Sequence, residues 1–186
     1  MPSTAAPFGL RPAYHPSGTI RQSVGTIDTG YSANIFKGSP IALTTAGVIN
    51  LAAAGARATG AFVGCEYTPT DGRRRVSNMW PASTTATEIV CYYVGDPDVV
   101  YEVQASGTLA ITDVGSQFDW GTNNTSSGST LTGISNVALN ISSGASNAGL
   151  QVLGLVPNPD NAWGDTYVNV FVRISEHTHR ADVAAY

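Results

Sequence analysis

The sequence predicts a mainly β fold: a β-sandwich- or barrel-like domain with an extended N-terminal arm and little helix. Three observations predict it. Short runs of β-branched and aromatic residues recur, closed by Gly, Pro, Asn or Asp, residues that favour turns. Residues 167–174 alternate strictly, with Val168, Val170, Val172 and Ile174 on one face and Tyr167, Asn169, Phe171 and Arg173 on the other. No stretch of ten residues has the apolar spacing of an amphipathic helix.

Residues 1–30 form the expected arm. Prolines at 2, 7, 12 and 16, with Gly9 and Gly18, exclude a long helix and interrupt any sheet ladder. Phe8, Leu10, Tyr14 and Ile20 are spaced along it as apolar anchors. Such a segment either docks on a partner or covers its own domain, and the residues alone leave both readings open.

Residues 31–186 form a single β-rich domain. Strands are expected at 40–43, 48–51, 61–67, 88–94, 99–105, 150–156 and 167–174, the first two joined as a hairpin. A short helix is expected near 111–118. Residues 115–149 form a long polar loop region, in which Leu131, Ile134, Val137, Leu139 and Ile141 suggest weak strands. Loops of this length are usually functional or mobile, so a contact loop and a surface excursion are both open.

Charged residues make up 12% of the chain, about half the usual share, so Thr, Ser, Asn, Gly and Ala must fill much of the surface. Such a surface is desolvated at modest cost when it packs against neighbours. The net charge is −4, and the single basic run is Arg73-Arg74-Arg75, after the Asp71-Gly72 turn signal. Nucleic-acid binding needs a concentrated basic surface, so no nucleic-acid partner is expected, and the run reads as a solvated turn or a protein-contact loop. No stretch is long and apolar enough to span a bilayer as a helix, and no leader is visible, so synthesis in a host cytoplasm is expected. Cys65 and Cys91 lie in apolar β-like runs and read as buried free thiols; a disulfide would need adjacent strands.

The search for chemistry gives little. His177 and His179, with Glu176, hint at a metal pair but lack a recognisable ligand set, and read better as polar tail residues. No nucleophile elbow, phosphate loop or calcium loop occurs. Most acids sit at turn signals, as in Asp96-Pro97-Asp98. Trp80, Trp120 and Trp163 would suit either a sugar platform or the core. No cofactor and no catalysis are expected.

Several motifs resemble one family. Pro7-Phe8-Gly9-Leu10-Arg11-Pro12 leads to Tyr31-Ser32-Ala33-Asn34-Ile35-Phe36-Lys37-Gly38-Ser39-Pro40-Ile41. Gly60-Ala61-Phe62-Val63-Gly64-Cys65-Glu66-Tyr67 and Asp96-Pro97-Asp98-Val99-Val100-Tyr101-Glu102-Val103-Gln104 follow. Together with Leu153-Gly154-Leu155 and Asn169-Val170-Phe171-Val172, these resemble the head decoration, or cement, proteins of tailed bacteriophages. The likeness covers most of the chain and is weakest in 115–149. It implies a homotrimer on the outer surface of the virion capsid, bridging subunits of the major capsid protein against internal DNA pressure. The contact candidates are Phe8, Leu10, Arg11, Tyr14, Ile20, Arg73, Arg74 and Arg75. A β-sandwich module binding glycans is the alternative.

Overall fold

The computed structural model describes residues 4–121, 128–145 and 147–180. It is mainly β, built on two six-stranded sheets. The strands are β1 (Arg11–Tyr14), β2 (Ser23–Gly25), β3 (Ile35–Phe36), β4 (Pro40–Leu43), β5 (Ile49–Leu51), β6 (Gly60–Pro69), β7 (Arg75–Ser77) and β8 (Met79–Trp80). Then come β9 (Ala86–Val94), β10 (Val100–Gln104), β11 (Gln117–Trp120), β12 (Gly128–Ser129), β13 (Ile134–Ser135), β14 (Leu139–Asn140), β15 (Leu150–Leu155) and β16 (Asn169–Ile174). The first sheet runs β1-β10-β16-β15-β11-β14; the second runs β2-β9-β6-β4-β5, with β7 also on β6. All the strand pairings within these sheets are antiparallel.

The alternation of residues 167–174 appears as drawn from sequence. Val168, Val170, Val172 and Ile174 are buried, while Asn169, Phe171 and Arg173 are half-buried on the other face. Their burial forms the larger core, where Val94, Ala61 and Ala58 of the second sheet's side meet Val103, Val152, Leu139 and Trp120 of the first. A second core gathers Ile27, Ile35, Ile41, Ile49, Phe62, Tyr67 and Trp80, and the short β3–β8 pair supplies two of these. Completely burying one such side chain is worth about 1.5–3 kcal/mol.

Two expectations need correction. The helix near 111–118 is one 3-10 turn, Ile111–Asp113, followed by strand β11, because Phe118 and Trp120 are needed on the core face of the sheet. The prolines of the N-terminal segment do not exclude it from a ladder either. Pro12 sits on β1, the sheet's outermost strand, where a missing N–H costs least, and the register shifts between Pro12 and Tyr14.

The segment from residue 4 to 30 is therefore woven into its own domain. It gives β1 to one sheet and β2 to the other, and it buries Leu10 and Ile27. Leu10 N–H donates to the Gly38 carbonyl at 2.8 Å, Gly9 N–H to Val137 at 3.1 Å, and Ala6 N–H to Gln104 Oε1 at 2.7 Å.

Candidate protein-contact surface

Where the N-terminal segment crosses the body, Gly9 and Gly38 bring two backbones together. Both have positive φ, 77° and 86°, and a Cβ on Gly9 would lie 2.5 Å from the Gly38 oxygen. The crossing leaves a cavity of about 240 Å³ lined by Phe8, Leu10, Arg11 and Pro12 from one side of the chain, and by Lys37, Phe62, Val63 and Ile134 from others. Its lining is mostly apolar, with two cations. The Arg11 guanidinium lies 4.7 Å from the centre of the Phe8 ring and pairs with Glu102, Nε to Oε2 at 3.2 Å. Lys37 is exposed on the loop that holds Gly38. Ile134 is 41% exposed, and Leu131, at the tip of the β12–β13 hairpin, is 94% exposed.

The structure thus brings Phe8, Leu10 and Arg11 together. Leu10 is completely buried in its own core, which corrects its place among residues offered to a partner: its anchor function is internal. Tyr14 is about half exposed at the far end of β1 and packs edge-on against Phe171, ring centres 5.6 Å apart. Ile20 is half-buried against the larger core. Arg73, Arg74 and Arg75 lie apart from the groove's lining, on the hairpin joining β6 to β7.

That hairpin is charge-matched. Arg74 meets Glu66 at 2.8 Å and Glu88 at 3.6 Å, and Arg75 meets Asp71 at 2.7 Å. The hydrogen bond from Arg74, then that from Tyr92, holds the Glu66 carboxyl below its ordinary range. The Arg73 N–H, then the Arg75 side chain, does the same for Asp71. Arg73 keeps its side chain exposed. Val76 beside these cations is 79% exposed.

Lys37, Val63 and Ile134 were not among the contact candidates, although Lys37 and Val63 lie in the motifs that carry the family resemblance and Ile134 in a suggested weak strand. Lys37 is the chain's one lysine, a signal that could have been weighed. Ile134 gave only a weak-strand signal within its polar stretch.

Three other sequence readings are resolved. Trp80 and Trp120 are completely buried, so they form no surface platform for a sugar; Trp163 alone is partly exposed. Cys65 and Cys91 are free, buried and on adjacent strands. His177 is not a polar tail residue. It is 1% exposed and bridges Ala58, because the chain after β16 folds back over the entry to β6. Its Nδ1 accepts the His179 N–H at 3.1 Å, and burial pushes its pKa down to about 4. His179 itself is exposed.

Among the described residues, no helix is long and apolar enough to cross a membrane. No family model, curated protein or solved structure matches the chain.

Proposed function

We propose that this chain is a capsid decoration protein, assembling as a homotrimer on the outer face of a tailed-phage head and bridging subunits of the major capsid protein. The observation that carries the reading is the groove at the N-terminal crossing. It is concave and apolar, edged by Arg11 and Lys37, and lies beside exposed Ile134 on a body with few charges. Apolar clefts with a few placed polar groups are where partners gain most from water exclusion. The motif resemblance supplies the identity of the partner.

The mechanism is linkage. A protein that binds the assembled shell, and not its separated subunits, stabilises the shell. A trimer engages several subunits at once, so weak contacts add through effective concentration. A net charge of −4 suits the outside of the head, away from packaged DNA.

The test is co-sedimentation with heads lacking the protein, comparing the native chain with a Lys37→Glu, Ile134→Asp double variant. Both positions are exposed, so the variant is expected to fold. Native chain that saturates heads and raises the temperature of DNA release, with the variant doing neither, supports the reading. Native chain that leaves heads bare sinks it. Equal binding by the variant removes the groove from it.

A further inference from the structure

A cluster of side chains from three distant parts of the chain meets at one end of β1. His15 follows that strand, Asp96 and Asp98 sit in the turn between β9 and β10, and Arg180 follows β16. One ring nitrogen of His15 and one oxygen of each aspartate all lie within 4.8 Å of one another. His15 Nε2 is 3.4 Å from Asp96 Oδ1. Two atoms bound to one zinc ion at about 2.1 Å, in tetrahedral geometry, stand roughly 3.4 Å apart. That pair already has the spacing of metal ligands, and Asp98, on a short exposed turn, closes the set by a small side-chain movement.

The surroundings fit. His15 Nδ1 lies 2.6 Å from Ser17 Oγ, the kind of outer partner that fixes a metal-binding imidazole. The Ser17 N–H also lies 3.0 Å from that nitrogen and favours the proton on Nε2. Metal binding at Nε2 therefore shifts the ring proton to Nδ1, which then donates to the Ser17 hydroxyl and gives up the bond from the Ser17 N–H. Two carboxylates against the one Arg180 guanidinium leave the cluster short of positive charge.

We propose that His15, Asp96 and Asp98 form a site for one borderline divalent metal ion, zinc above all, which staples the N-terminal segment to the β9–β10 turn. One imidazole with two carboxylates suits zinc and its neighbours better than magnesium or calcium, which prefer all-oxygen shells. The three residues leave coordination positions open to water. Arg180 competes for Asp98, so the ion displaces it.

The test is calorimetric titration of the full chain, first dialysed against chelator, with zinc chloride and separately with magnesium chloride. Thermal unfolding is followed in parallel. Zinc is expected to bind saturably at one ion per chain and to raise the Tm, with no response to magnesium. His15→Ala and Asp98→Asn should each weaken zinc binding by about tenfold or more. Arg180→Gln should tighten it severalfold, and His179→Gln, a change at an exposed neighbouring imidazole, should leave it unchanged. Asp98 is exposed, so its variant tests the site even if His15→Ala disturbs β1. Absence of saturable zinc binding by the native chain overturns the proposal, as does equal binding by native chain and Asp98→Asn.

Discussion

Cys65 on β6 and Cys91 on β9 are direct partners in an antiparallel ladder, and both are free thiols. Desolvation by burial pushes each up to about 12. The Cys65 thiol donates to the Met79 carbonyl at 3.4 Å. Because the thiolate is the nucleophile, the native chain should barely react with a thiol reagent near neutral pH. Both thiols should react at once in denaturant. The measurement is the absorbance of released reagent against time in buffer and in concentrated urea; fast labelling in buffer contradicts the burial.

His177 makes stability depend on pH. Its pKa is depressed to about 4 in the folded chain, chiefly by burial, against about 6.5 when unfolded. Between those values the unfolded chain binds more protons, so stability falls as pH falls. The expected loss from this group between pH 7 and pH 5 is about 2 kcal/mol. Urea unfolding at the two pH values checks it, with His177→Gln as the reference. The variant starts less stable but should lose less on acidification. Parallel losses in both proteins would remove His177 as the cause.

The strands were legible where side chains carry the signal. Residues 88–94 and 167–174 are β-branched, aromatic or alternating; the first lies within β9, and of the second Asn169–Ile174 forms β16, with Tyr167 and Val168 preceding it. The N-terminal segment was ambiguous because its signal is conflicting: Pro12 and Pro16 argue against a ladder, while Leu10 needs a core. The conflict resolves only in the fold, where an edge position tolerates Pro12. The groove was half legible. Phe8 and Arg11 stood out, but Ile134 reaches them through Lys37, its parallel bridge partner, which no local pattern foretells. The cluster of His15 with Asp96 was illegible for the same reason. It depends on the pairing of Tyr14 with Val100 and on the turn that precedes β10.

Gly9 should be among the least replaceable residues. Its φ of 77° already disfavours a side chain, and an added Cβ would meet Gly38 at 2.5 Å and Ser135 at 2.9 Å, with backbone on one side. Gly9→Ala is expected to cost about 2–3 kcal/mol, the strain of a left-handed residue plus a forced backbone shift. Hydrogen exchange at Leu10 should rise at the same time, since its N–H bonds to Gly38 across this contact. Gly18 has a similar φ but open space around it, so Gly18→Ala should cost less.

The two buried tryptophans should respond differently to the same change. Trp120 Nε1 donates to the Ala52 carbonyl at 3.3 Å, whereas Trp80 Nε1 is buried with no partner. Replacing either with Phe removes similar volume from a completely buried site and leaves a cavity. At position 80 the change also removes an unsatisfied donor, which offsets part of that loss. At position 120 it removes a made hydrogen bond and leaves its acceptor poorer. The ring contact of Tyr67 with Trp80, centres 5.2 Å apart and edge-on, can persist with Phe. Trp120→Phe should therefore be the more destabilising by about 1–2 kcal/mol, read from the difference in urea midpoints at a common slope. Equal costs, or a larger cost at Trp80, would mean that its indole N–H has a partner in solution, with bound water the first to look for.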